Sequence, residues 1–333
     1  MFNLKYLRSY LLFFVPIIVI LHYTYSSQKN ASTLNKDCML LRDSTKFVLS
    51  PATVVTGYFH LDKAKKSHSV YQDWMSNFLM MDTSMVIFCD KATYEFIESR
   101  RRDKADKTVI HITSVEDFYT NKYKSAYEQH FKKDHESKEN GGNVSHSVPL
   151  YMVWGEKLHF VKQVIDKNPF CSEYFFWLDI GMIRKPNKKY VQWPNAARIA
   201  ATDKNKVTLV QVLPFTTDEL AVTTKQDLPS FQFLDRIGGT FSGGAAPLLR
   251  YHDLYYDMLE HFVRVDRFIG KDQSIMNSVY LTNRDMFEFV TCSHTKGCED
   301  QFFVLLDHFA SSGRSNVFVR LMNMFKEKFS NVI

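Results

Sequence analysis

Asp179 closes the apolar run YFFWL in the order Asp-Ile-Gly. In open α/β sheets ligands bind outside the carboxyl ends of the strands. A carboxylate there can ligate a divalent cation that bridges diphosphate oxygens; a helix cap or a turn Asp is the plainer alternative. Lys157, in WGEKLHFVKQVIDKNPF about one helix upstream, offers a point charge for phosphates, against the commoner solvated surface lysine. IGGTFSGG (237–244) holds four glycines in eight residues. They would let a ligand approach the backbone, or make a turn between strand and helix. The segment is not G-x-G-x-x-G and does not follow the first strand, so it is no dinucleotide fingerprint. Asp272, in Lys271-Asp272-Gln273, opens QSIMNSVYL and reads as a catalytic base, an acceptor-binding carboxylate or an N-cap. His308 in LLDHF is a core histidine or a metal ligand. The chain has no G-x-S-x-G elbow, P-loop, H-E-x-x-H or C-x-x-C.

The elements that must position these residues are legible from periodicity. TVVTGYFHL (53–61), SMVIFCD (84–90) and KTVIHITS (107–114) read as strands. Between them, KAKKSHSVYQDWMSNFLMM carries Val70, Trp74, Phe78 and Met81 at helical spacing, and ATYEFIESRRR is a helix with a basic end. The order β-α-β-α-β predicts a parallel sheet covered by helices. Residues 116–147 are polar and read as a loop or excursion. PLYMVWGEKLHFVKQVIDKNP is a helix between Pro149 and Pro169, EYFFWLDIG a buried strand, and VTLVQVLPF another strand. A glycine-rich turn or strand, two helices and the tail DQFFVLLDHFASSG complete one α/β domain over 52–333, with no internal repeat.

The 333 residues carry 42 Lys+Arg against 36 Asp+Glu, a net charge of +6, with no Arg/Lys stripe interleaved with aromatics. Nucleic acid is therefore not an expected partner. Aromatics reach 15%, and part of that share sits at the start, MFNLKYLRSYLLFFVPIIVILHYTYSSQ. Lys5 and Arg8 precede an uncharged run, so residues 1–9 read as a cytoplasmic tail, 10–25 as a signal anchor and 26–51 as a lumenal stem. A cleaved signal peptide is the alternative. Either places the bulk of the chain in the secretory pathway. Asn30-Ala31-Ser32 and Asn143-Val144-Ser145 are N-glycosylation triplets. Cys292 and Cys298, six apart in TCSHTKGC, either close a small disulfide loop in an oxidising lumen or are two free thiols. With His294 their spacing fits no standard zinc pattern, and Cys89 lies inside an apolar strand.

Taken in order, the anchor, the β-α-β half, the helix with Trp154 and Lys157, the strand ending at Asp179, the glycine-rich segment and the Asp-Gln helix resemble a GT-A type nucleotide-sugar glycosyltransferase. VWGEKLHFVKQVIDKNPFCSEYFFWLDIG is similar to the matching stretch of galactosyl- and xylosyltransferases. VVTGYFHLDKAKKSHSVYQDWMSNFL, SMVIFCD, LYMVWGEKLHFV, NPFCSEYFFWLDIGMIR and GGTFSGG more closely resemble the HtrL/YibB family, a glycosyltransferase-like group, over roughly residues 52–310. The resemblance implies a GT-A-like, Rossmann-type mixed sheet with helices on both faces, preceded by one N-terminal transmembrane helix. It also implies a type II protein of the Golgi or ER membrane that transfers sugar from a nucleotide-sugar donor to a glycan or glycoconjugate acceptor.

The implied roles follow residue by residue. Thr56, Gly57, Tyr58 and Asp90 would line the nucleoside pocket. Asp179 would hold Mn2+ or Mg2+, with His308 or a water-bridged site as its partner, because the second carboxylate of the Asp-x-Asp motif is Gly181 here. Lys157 and Arg184 would stabilise the departing diphosphate. Gly243 and Gly244 would admit acceptor or donor sugar, and Asp272 would be the acceptor base. The missing carboxylate raises an alternative, a catalytically inactive lumenal binding or scaffold protein on the same fold. A secreted nucleotide-sugar hydrolase is a third reading.

Overall fold

The computed structural model describes residues 50–61, 67–138, 146–295, 298 and 300–310. The signal anchor, nearly all of the stem and both glycosylation triplets lie outside them. Among the described residues no helix is long and apolar enough to cross a membrane. The described residues between Ser50 and Ala310 form one compact unit.

Its centre is a seven-stranded mixed sheet in the order β3-β2-β1-β4-β6-β5-β7. The strands are β1 (Ala52–Tyr58), β2 (Ser84–Cys89), β3 (Thr108–Ile112), β4 (Tyr174–Trp177), β5 (Val207–Gln211), β6 (Ile237–Gly244) and β7 (Phe287–Val290). β3, β2, β1 and β4 run parallel. β6 is antiparallel to both β4 and β5, and β5 and β7 are parallel. Helices cover both faces, which is why the central strands read as unbroken apolar runs rather than alternating ones. On β4, Phe175 and Trp177 enter one core with Phe160 and Val164, while Tyr174 and Phe176 enter the other with Trp193 and Phe309.

The helices are α1 (His68–Leu79), α2 (Tyr94–Arg101), α3 (Lys124–Lys138), α4 (Val148–Lys167), α5 (Ala196–Ala200), α6 (Thr217–Leu220), α7 (Ala245–Arg264), α8 (Asp272–Thr282) and α9 (Val304–Ala310). Helix α4 starts where the Ser147 hydroxyl accepts the Leu150 N–H. It ends at Asn168 in the left-handed region (φ 37°), whose side chain pairs with both backbone polar groups of Ser172. That cap turns the chain directly from α4 into β4.

Residues 116–147 are not simply the loop that their polarity suggests. Short 3-10 turns at Val115–Asp117 and Tyr119–Tyr123 lead into α3. Tyr123, Tyr127, His130 and Asp134 recur at helical spacing and are buried. Three of them carry partners that make burial tolerable. Tyr123 donates to Glu260 (2.7 Å), His130 accepts the Ile269 N–H (3.0 Å), and Asp134 accepts from Tyr151 (2.9 Å) and Gln232 (3.1 Å). Apolar periodicity cannot register a helix buried through polar side chains. β7 is a further strand beyond those read from the sequence.

IGGTFSGG is a full strand, not a turn. Its last glycines serve backbone packing: a Cβ on Gly244 would lie 2.2 Å from the Lys204 carbonyl oxygen, and one on Gly243 would lie 3.0 Å from that of Lys206. No side-chain rotation relieves a clash with backbone. Gly244→Ala is expected to cost about 1–3 kcal/mol, read as a lower thermal midpoint. An unchanged melt would show that the strand end can shift.

Candidate active site

Three side chains from distant parts of the chain meet at the carboxyl end of β4. Lys157 projects from the middle of α4 onto the sheet, one turn before Phe160, which stacks on Trp177 (centroids 6.0 Å). Its Nζ lies 3.2 Å from Asp179 Oδ1, 2.9 Å from Asp272 Oδ2 and 3.2 Å from the Gly239 carbonyl oxygen. Three oxygens thus surround an ammonium with three N–H donors. The Lys157 and Asp272 side chains are 7% and 6% exposed, whereas Asp179 is 43% exposed and opens to the cleft.

Each member is held by its element. Thr56, buried at the end of β1, donates to the Leu178 carbonyl (2.7 Å), and Leu178 N–H donates to Val55. These bonds fix the backbone immediately before Asp179. The Trp177 indole N–H donates to Asp179 Oδ1 (3.0 Å), so Trp177 and Lys157 both engage Oδ1. Asp272 sits in the first turn of α8, where its Oδ1 accepts the Gln273 N–H (3.0 Å). The Gln273 amide donates to the Ile237 carbonyl (3.1 Å) and ties α8 to the start of β6. Gly239 is required by space: a Cβ there would stand 2.8 Å from Lys157 Nζ and 3.4 Å from Asp272 Oδ2.

The electrostatics follow from burial. Desolvation works against the Lys157 charge, but Asp179 and Asp272 more than offset it and hold the ammonium above the ordinary lysine value. Burial pushes the Asp272 carboxyl up, against the pull of Lys157. The Lys157–Asp272 contact is charge to charge. Apart from Lys157 at 2.9 Å, Asp272 Oδ2 has no protein partner among the described residues.

Two adjoining recesses share Trp154, Lys157, Asp179, Arg184 and Phe303. One, about 240 Å³, is walled by Gly57, Tyr58, Tyr71, Trp74, Trp154 and Phe303. The other, about 480 Å³, is polar and includes Asp235, Gly239, Thr240, Lys271, Asp272 and Asp300. Arg184 stands between them, its guanidinium 4.4 Å from the Trp74 ring and 5.2 Å from Phe303. Phe303 arrives just beyond the Cys292–Cys298 disulfide, which is formed; Cys171 is also disulfide-bonded, and Cys89 is a buried free thiol.

The structure therefore brings together Lys157, Asp179, Asp272, Arg184, Gly57 and Tyr58. It does not bring the others. Thr56 acts behind the site. Asp90 lines a third recess with His60 and Glu116, which shares Phe59 and Leu61 with the aromatic one, its carboxylate accepting from His60 N and, at 2.9 Å, from Thr93 N. Gly243 and Gly244 pair with Phe175 and Tyr174 at the start of β4. Because β6 runs antiparallel to β4, the glycine beside the Lys157–Asp179–Asp272 cluster is Gly239. His308 is half-buried on α9 against Arg198 (2.9 and 3.0 Å) and lines neither recess. Burial, then Arg198, push its imidazole down to about 4; its place outside both recesses, paired with Arg198, separates it from Asp179. Among the described residues no group of three or more His, Cys, Asp or Glu is placed to hold a metal ion. Sequence reasoning missed Gly239, Trp177 and the aromatic wall of Tyr71, Trp74 and Phe303. For Trp177, its place two residues before Asp179 was an available signal.

No curated protein matches the chain in sequence. Among solved structures, mouse xyloside xylosyltransferase 1 in its apo form is similar at 11% identity, with 73% of this chain and 86% of that chain covered and a TM-score of 0.40. Core-mannan synthase A from Aspergillus fumigatus, in an Mn/GDP form, is similar at 8% identity, with 74% of each chain covered and a TM-score of 0.43. The 4-diphosphocytidyl-2C-methyl-D-erythritol synthase of Anaerococcus prevotii is similar at 9% identity, with 72% of this chain and 86% of that one covered and a TM-score of 0.30. A protein-family model described as "Bacterial protein of unknown function (HtrL_YibB)" matches residues 50–311, which include every residue of the Lys157–Asp179–Asp272 cluster and both recesses. The chain belongs to the HtrL/YibB family.

Proposed function

We propose that this protein is a glycosyltransferase that moves a sugar from a nucleotide-sugar donor to a hydroxyl of a glycan or glycoconjugate acceptor. One observation carries the reading: Lys157, Asp179 and Asp272 converge within 3.2 Å of one ammonium at the carboxyl end of a central strand, between an aromatic recess and a polar one. The aromatic recess suits a nucleoside, since rings stack on any base. The polar recess suits sugars. Arg184, at the junction, is the cation for the donor diphosphate. The convergence also weighs against a binding-only protein, which would have no reason to keep a buried carboxylate beside a lysine.

The polar recess is lined by three cations, Lys157, Arg184 and Lys271, against four carboxylates, Asp179, Asp235, Asp272 and Asp300. A diphosphate dianion entering that surplus of negative charge needs a further cation. Asp179 fits it: the carboxylate opens to the cleft, and Oδ2 is engaged by neither Trp177 nor Lys157. Oxygen donors of this kind suit Mg2+ or Mn2+, which one or two carboxylates hold together with substrate phosphates. Such an ion would neutralise the diphosphate as it leaves.

In the transfer, the acceptor hydroxyl oxygen bonds to the anomeric carbon as the bond from that carbon to the diphosphate breaks. If the reaction inverts, the hydroxyl proton passes to Asp272, whose Oδ2 pairs with no group of the described residues other than the Lys157 ammonium. Arg184 keeps the departing charge in place. The disulfides at Cys292–Cys298 and Cys171 support a lumenal, oxidising setting. This accords with the proposal of a type II anchor in the Golgi or ER membrane, written in Lys5, Arg8 and the apolar run after them.

The test is a panel of UDP- and GDP-sugars offered to the purified chain with Mn2+. At least one donor is expected to raise the thermal midpoint by several degrees and to be hydrolysed slowly, and an acceptor glycan is expected to speed its consumption. No shift with any donor would sink the reading. Binding without turnover would favour the scaffold, and turnover that no acceptor accelerates would favour a hydrolase.

A further inference from the structure

Lys157 offers three N–H donors, and three protein oxygens stand around it at 2.9, 3.2 and 3.2 Å: Asp272 Oδ2, Asp179 Oδ1 and the Gly239 carbonyl. A buried ammonium ringed in this way has its charge matched by two carboxylates of the protein and a donor taken by the Gly239 carbonyl before any phosphate arrives. The same three oxygens come from three separate elements, α8, the end of β4, and β6. Two of them belong to carboxylates that would repel each other without a positive charge between them. Gly239 makes the ring possible, because any side chain there would meet Nζ.

We infer that Lys157 is a positioning residue: its ammonium is the built-in cation of a three-oxygen cage and sets the spacing of Asp179 and Asp272, rather than touching the donor phosphates. The cage is a preformed cation site whose occupant is covalently attached. Lys157 therefore commits Asp272 to the protein's own charge and leaves only the outer side of Asp179 to an exchangeable ion. The roles of Asp179 and Asp272 in this statement rest on the glycosyltransferase reading. The test below reads cation binding alone, so its failure and the failure of that reading are separate results.

The experiment titrates Mn2+ alone against wild-type chain, Lys157→Met, Lys157→Arg and the double variant Lys157→Met/Asp179→Asn, by calorimetry and thermal melts. Emptying the cage while keeping both carboxylates is expected to raise Mn2+ affinity about tenfold or more over wild type, with a melt that rises on adding Mn2+. Lys157→Arg, which keeps the charge, and the double variant, which removes one carboxylate, are expected to show no gain. A purely structural lysine would produce no gain in any variant. A folded Lys157→Met with wild-type Mn2+ affinity overturns the inference, as does an equal gain in the double variant. If Lys157→Met does not fold with or without Mn2+, a folded double variant supports the inference, because removing one carboxylate then replaces the need for the cation. A double variant that also fails to fold overturns it.

Discussion

Asp179→Ala is expected to lower donor hydrolysis and transfer by about 10²–10³-fold or more, with a thermal midpoint within a few degrees of wild type. The large catalytic effect follows from position. Asp179 is the one member of the cluster that opens to the cleft, 43% exposed, and the only one with a carboxylate oxygen left for a cation that meets the diphosphate. The small stability effect follows from the same exposure. The substitution removes one 3.2 Å charge contact and the Trp177 hydrogen bond, together about 1 kcal/mol for a partly solvated group. Lys157 keeps Asp272 as a one-to-one partner. Parallel activity assays and melts check both halves. A variant that still turns over donor at more than a tenth of the wild-type rate would remove Asp179 from the mechanism. One that unfolds would make it structural.

Asp272→Asn is expected to cost about 10²–10⁴-fold in kcat/KM, the range for a positioned general base, and to change the pH profile. Burial raises the Asp272 carboxyl. Lys157 opposes this and Asp179 adds to it, while the Asp272 charge adds to the desolvation that raises the buried Tyr127, Tyr251 and Tyr255 hydroxyls. The sign follows from the role. A base works deprotonated, so wild-type kcat/KM falls as pH drops through a value above the ordinary carboxylate range. The same raised value means that the fold binds this proton more tightly than the unfolded chain, so ionising Asp272 costs stability as pH rises through that window. In the Asn variant both effects disappear. An acid limb that persists unchanged in the variant would assign the base elsewhere. A loss smaller than tenfold would leave Asp272 as a partner of Lys157 only.

Much of the site was readable because its signals are local. Asp179 follows five buried residues, YFFWL, and an apolar run that stops at a carboxylate marks a strand end. Lys157 stands three, four and seven residues before Phe160, Val161 and Val164, on one helical face that the structure buries. By residue type a solvated surface lysine is the commoner case; the place of Lys157 on that apolar face is the local signal that marks it as buried. Asp272 opens a helix rich in buried small polar residues, Ser274, Asn277 and Ser278.

Other parts were not readable for equally physical reasons. The helix Lys124–Lys138 is buried through hydrogen-bonded polar groups rather than apolar ones. Phe303 reaches the site from beyond a disulfide loop, and Arg184 stands against aromatic rings contributed by α1 and by the segment before α9. None of these contacts leaves a trace in spacing along the chain.

The sequence by itself determined the alternation of strands and helices, the strand end at Asp179 and the three charged residues, because periodicity, capping and burial act over a few residues. Only the tertiary structure decided which end of IGGTFSGG faces the chemistry, and that Lys157, Asp179 and Asp272 share one point. Strand direction is the reason. β6 is inserted antiparallel between β4 and β5, so its first glycines lie beside the carboxyl end of β4 and its last beside the start. That orientation is a property of pairing between segments some 60 residues apart, with no counterpart in local sequence.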